Sequence, residues 1–205
     1  MSNPNSPFGF LPVGVSPGSA TPSFGLVTKR ILYSNATAIY RGDPVKLLST
    51  GYIAQWTQGT AASQLCGIFW GCSYLSTAQG KTVNNSYWPG SDVSSTAAYA
   101  TAYILPCIGS GQPPLFKVQS DSTQIAFADI GQNVDVTVGT GTVAGVYGKS
   151  GASLAYATLN TTVTLPFRVV DLYSSSMPSG TPGTDDTSSY NIAIVQANIN
   201  GETGI

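Results

Sequence analysis

Cys66, Cys72 and Cys107 are the side chains here best suited to nucleophilic or soft-metal chemistry, and the 205 residues contain no histidine to serve them. Without imidazole the chain lacks the commonest general base, the commonest metal ligand and every Ser-His or Cys-His pair. A zinc site would need more thiolates or carboxylates than the local spacing supplies. Three cysteines cannot all pair within one chain. Cys66 and Cys107 lie in apolar runs, where a free thiol behaves as a small buried hydrophobe. The expectation is three reduced core cysteines, with no catalytic residue, no metal site and no cofactor.

Other short motifs offer chemistry only on paper. "RGD" at 41–43 matches an adhesion tripeptide, but "RGDPVKLL" reads as a turn feeding a strand. Gly42 supplies the permissive backbone, and Pro44 restricts Asp43 to an extended conformation. "GTGTVAG" (139–145) has the wrong spacing for G-x-G-x-x-G and lacks the G-K-[ST] of a P-loop. Asp185 and Asp186 are adjacent acids in a Pro/Ser/Gly/Thr stretch and read as solvated. Asn35, Asn84 and Asn160 begin glycosylation patterns, yet the N-terminus reads as lacking a secretory signal that would support their use.

The elements that would position any site are strands. "FGLVTKRILYS" (24–34), "TAIYRGDPVKLL" (37–48) and "GYIAQW" (51–56) open the series. "LCGIFWGCSYL" (65–75) is an unbroken apolar run. It predicts a strand buried on both faces, with Gly67 and Gly71 permitting bulges or close packing. "AAYATAYILPCI" (97–108), "PLFKVQS" (114–120), "NVDVTVG" (133–139), "TLPFRVVDLY" (164–173) and "SYNIAIVQANI" (189–199) complete it. No capped 3.6-residue period is sustained. One short helix at most fits, around 121–130, with Asp121 or Ser122 as its cap. The expected fold is all-β or β-rich: a compact barrel or sandwich over 25–205, little helix, and flexible loops at 138–151 and 174–189.

Residues 1–24 read as an extended N-terminal arm. They contain Pro4, Pro7, Pro12, Pro17 and Pro22 and no charged side chain. Phe8, Phe10, Leu11, Val13 and Phe24 are the expected partner contacts, because disordered tails are depleted in aromatics. Two residues apart on an extended segment, Phe8 and Phe10 point to one side and are expected to act as a pair on a neighbouring chain. Deleting residues 1–14 is expected to leave a folded domain. In "SYWPGSDV" (86–93), Tyr87 and Trp88 read either as a turn covering the core edge or as an exposed anchor.

Composition narrows the partners. Only 8% of residues are charged and the net charge is −1, against about 25% charged in typical soluble proteins. A nucleic-acid binder needs a basic stripe that is absent here. No apolar stretch is long enough for a membrane helix.

"SPFGFLPVG", "ATAIYRGDPVKL", "GYIAQW", "LCGIFWGCSY", "YWPG" and "IGQNVDV", in that order, resemble a family of tailed-bacteriophage capsid decoration or cement proteins across most of residues 6–172. The resemblance implies a non-enzymatic β-rich module on the outer surface of the virion capsid, made in the host cytoplasm. Its expected partners are the major capsid protein and its own copies, as trimers in preference to dimers. Its expected role is to cement neighbouring capsid subunits. The alternative is a head-fibre or receptor-binding module that contacts the host surface through exposed loops.

Overall fold

The computed structural model describes residues 3–15, 25–107, 113–144, 147–173 and 185–198. Twelve strands and two single-turn 3₁₀ segments, Ala62–Gln64 and Phe127–Asp129, form these residues. The strands make two antiparallel sheets packed together, as a sandwich. Sheet I contains β1 (Leu11–Val15), β8 (Pro114–Gln119), β12 (Ile192–Ala197), β11 (Phe167–Leu172), β9 (Asn133–Ala144) and β10 (Tyr147–Asn160), in that spatial order. Sheet II runs β2 (Val27–Leu32), β7 (Tyr99–Pro106), β5 (Leu65–Leu75), β3 (Pro44–Leu47), β4 (Ile53–Gln55), with β6 (Thr82–Asn85) paired to β5 beyond this path.

The apolar run at 65–75 is the hinge of the architecture. β5 is buried on both faces because it serves two cores. Leu65 and Ile68 join the core shared with sheet I, around Phe116, Val136 and Phe167. Cys66, Phe69, Cys72 and Tyr74 face a second core with Ile31, Ile39, Val45 and Trp88. Two bulges allow this change of side. Cys66 is the extra residue opposite β3, and Trp70 the extra residue opposite β7. A bulge interrupts the period of two and re-aims the side chain it carries.

A buried carboxylate ties the sheets together. Asp135 on β9 accepts hydrogen bonds from Trp56 Nε1 at 2.9 Å, from Gly59 N–H at 2.7 Å and from Val136 N–H at 2.7 Å. The first two donors follow β4 in sheet II, so one acceptor on sheet I fixes how that loop sits. Satisfying such a group on every side is what makes its burial tolerable.

Three expectations are corrected here. Residues 138–151 are not a flexible loop: all but Gly145 and Val146, which lie outside the described residues, belong to the long β9–β10 hairpin. The composition hid this because the facing glycines Gly139 and Gly151 read as breakers. The 121–130 segment holds a single 3₁₀ turn rather than a helix capped by Asp121 or Ser122. Asp129 accepts from Ala126 N–H, while Asp121 bonds Thr123 and Tyr156 N–H groups. Of the 174–189 segment, 174–184 lie outside the described residues. At 185–189, Asp185 forms a turn with Thr187 and Ser188.

The arm is the third correction. Residues 3–15 run extended, as expected, but along their own chain. β1 pairs with β8 from Leu11↔Lys117 to Val15↔Pro114, with an irregularity at Val13. Ahead of it, Ser6 N–H donates to Gln119 Oε1, and Gln119 Nε2 donates to the Pro4 carbonyl. Asn3 Nδ2 donates to the Asp185 and Ser189 carbonyls. Phe24, with the rest of 16–24, lies outside the described residues.

Candidate functional site

The arm residues expected to meet a partner are separated by the structure. Phe10 is fully buried in its own core, 4.6 Å from the Phe167 ring and 6.1 Å, edge-on, from Phe116. Its ring is therefore spent inside the domain and does not serve as an external contact. Phe8, Leu11 and Pro12 are half-buried, and Val13 is exposed. Phe8 and Phe10 are not a pair because Gly9, between them, has φ +71°. A left-handed residue breaks the alternation that would have put both rings on one side. Gly9 is required there for a second reason. A Cβ at this position would lie 2.5 Å from Ser150 Cβ and 2.6 Å from the Gly42 carbonyl.

Trp88 is likewise a core residue rather than an exposed anchor. It is fully buried, bridges to Ile39, packs edge-on against Tyr74 at 5.7 Å and donates through Nε1 to the Asn35 carbonyl at 2.9 Å. Tyr87 is half-buried and stacks on Tyr40 at 5.9 Å. The pair lies over the bare backbone of Gly141 and Gly148 on the long hairpin, where a Cβ would enter the Tyr40 ring.

The "RGD" segment is also structural. Asp43 is fully buried. Its Oδ2 accepts from Tyr40 N–H and Gln55 Nε2, both at 2.8 Å, and its Oδ1 accepts from Ser150 Oγ at 2.5 Å. Burial raises its pKa, and the three hydrogen bonds oppose the rise. Arg41 is exposed and lies over the Trp70 ring at 3.7 Å. An adhesion motif needs an accessible aspartate, and this one is enclosed.

The three cysteines are buried thiols. Burial pushes the Cys72 thiol up to about 12, the opposite of the depression that makes a cysteine reactive. Native protein at mild alkaline pH is therefore expected to resist iodoacetamide, with all three thiols labelled once denaturant opens the fold. Rapid labelling of the native state would contradict this. Among the described residues, no group of three or more Cys, Asp or Glu side chains is placed to hold a metal ion. No described helix is long and apolar enough to cross a membrane.

Two surface features of the described residues bear on binding. On the outer face of β2 and β7, Leu26, Leu32 and Tyr99 are exposed, with Tyr33 just beyond. Leu32 and Tyr99 are cross-strand partners, and Arg30 lies 4.2 Å over the Tyr99 ring. At the opposite, Leu26 end of β2 lies an open groove of about 560 Å³, lined by Leu26, Trp70, Tyr103, Asn84, Asn85 and Ser86 above the floor of Gly71 and Cys72. The sequence reading missed the groove. Its one signal was the glycosylation-type "NNS" at 84–86, of which Asn84 is exposed and Asn85 and Ser86 are half-buried.

No family model, curated protein or solved structure matches the chain.

Proposed function

We propose that this chain is a virion structural protein, without catalytic activity, that binds the outer surface of a phage capsid and bridges neighbouring major capsid protein subunits. The order of the "PFGFLPV", "GDPVKL" and "YWPG" motifs supports the phage assignment by resemblance. The observation that carries a binding role is the exposed apolar group of Leu32, Tyr33 and Tyr99 at one end of the β2–β7 pair on a chain so poor in charge. Contiguous exposed apolar residues rimmed by polar ones favour a protein–protein seam. On this reading the grip lies on the β2–β7 face, and residues 3–15 brace the domain behind it. Several copies on one shell gain avidity, because release requires every contact to open together.

The test is a binding isotherm on capsids stripped of the protein. Wild-type chain is expected to saturate a fixed number of sites. Leu32→Ser with Tyr99→Ser is expected to weaken binding by at least about tenfold, the loss typical of truncating an interface hot spot. Absence of saturable binding by the wild type would end the cement reading. Particles that lack the protein but keep their mechanical strength, while losing host adsorption, would replace it with the receptor-binding alternative.

A further inference from the structure

We propose that the groove between β5, β6 and β7 is a binding site for a neutral saccharide. The inference goes beyond the capsid role and does not depend on it. The Trp70 and Tyr103 rings, two asparagines and a serine line this groove, and none of its described lining residues is charged. Its volume falls within the usual range for small-molecule sites. A sugar presents apolar C–H faces beside hydroxyls that both donate and accept. Aromatic rings suit the first, and asparagine amides, each with donors and an acceptor, suit the second.

The construction of the groove separates it from an incidental dent. Trp70 is the bulged residue of β5, extra between the Phe69↔Ile104 and Gly71↔Tyr103 pairs. Bulges re-aim side chains and recur beside binding sites. Arg41 lies over the indole at 3.7 Å, which fixes the ring and covers one of its faces, so Tyr103 is the ring offered to a sugar. Asn85 is held too, its Oδ1 accepting from Ser86 N–H at 2.9 Å and its side chain bonding Tyr74, while Ser86 Oγ accepts from Gly148 N–H at 3.2 Å, so Asn84 is the amide that can meet a ligand. Asn84 is exposed and its side chain makes no hydrogen bond to the described residues. Its amide is thus free to bond a ligand. The floor is close to backbone: a Cβ on Gly71 would lie 3.0 Å from the Asn85 carbonyl.

None of these lining residues is a cation, and Arg41 beside them is stacked on the Trp70 ring.

The experiment titrates purified full-length chain with maltotetraose, cellotetraose and chitotetraose, and with tetra-alanine and polygalacturonate fragments as contrasts. Tryptophan fluorescence reports the site directly, because Trp56 and Trp88 are buried and Trp70 is the partly open one. At least one neutral tetrasaccharide is expected to change the emission saturably, with Kd at or below about 1 mM, an affinity in the weak range. Asn84→Ala is expected to weaken it about tenfold, the worth of a lost ligand hydrogen bond. Because Asn84 is exposed, that variant is expected to keep the wild-type denaturation midpoint. Tyr103→Ala, checked for folding by circular dichroism, is expected to weaken binding by a similar factor. No response to any neutral probe overturns the proposal. So does stronger binding of the peptide or the acidic fragments, or wild-type affinity in both variants.

Discussion

Replacing Phe10 by alanine is expected to destabilise the protein by about 3–5 kcal/mol, the usual cost of emptying a buried phenylalanine site. Against a total stability of about 5–15 kcal/mol, this single arm residue carries a large share. The ring touches both Phe116 on β8 and Phe167 on β11, so the cavity would open in the middle of sheet I's core. Phe8→Ala, at a half-buried position, is expected to cost only about 1 kcal/mol. Urea denaturation distinguishes them: the midpoint should fall sharply for Phe10→Ala at unchanged slope, and slightly for Phe8→Ala. Deleting residues 1–14 should be worse than either, because it also strips β1 from β8 and leaves Gln119 without Ser6 and Pro4. Equal, small effects of the two substitutions would mean that the arm is a detachable tail after all.

Asp43→Ala is expected to cost about 3–5 kcal/mol, because it strands Tyr40 N–H, Gln55 Nε2 and Ser150 Oγ at about 1–3 kcal/mol for each buried group left unsatisfied. Asp43→Asn keeps the shape and most of the bonding, since an amide oxygen can still accept and its NH₂ can donate to Ser150 Oγ. The two variants also separate charge from geometry through pH. Burial raises the Asp43 pKa above its ordinary value of 3.8. Above 3.8 the unfolded chain ionises while the folded chain still holds its proton. Folded stability from this group therefore falls as pH rises from 3.8 through the raised value, and is level beyond it. Asp92 and Asp185 act in the opposite direction and in a lower window. Hydrogen bonds lower both, chiefly those from Ser76 and from Ser188 respectively, and Asp185 reaches about 2. Their contribution is lost as pH falls below 3.8. The stability of wild type relative to Asp43→Asn should thus decline as pH rises above 3.8. A rising difference would mean that the three hydrogen bonds outweigh desolvation.

What could be read from the sequence was what neighbouring residues decide. The 65–75 run, the 44–47/53–55 hairpin and the alternation in "NVDVTVG" are local patterns, and each became a strand of the expected kind. β10 escaped notice because "GKSGASLAYATLN" is rich in small residues. Its strand character comes from pairing with β9 and from the rings of Tyr40 and Tyr87 lying on its glycine surface. The arm was recognised as extended and in need of cover, but its cover is β8, far along the chain at Pro114–Gln119. A linear pattern does not encode that pairing. The candidate groove was hidden for a related reason. The bulge that makes Trp70 part of it is a mismatch between two strands, and a single strand read alone has no register to slip.

The spread of the two sheets along the chain has a consequence for the order in which the protein can be built. All strands of sheet II lie within residues 27–106, whereas sheet I joins residues 11–15 to 192–197 through β8. During synthesis from the N-terminus, sheet II can form its long β5–β7 pairing well before the chain is finished. β1 emerges first of all, yet its neighbour β8 becomes available only after residue 119, and Phe10 meets Phe167 later still. The N-terminal segment must therefore wait, apolar and unpaired, through most of translation. Its five prolines within the first 22 residues suit that interval, since a strand interrupted by missing amides is a poor template for premature pairing with another chain.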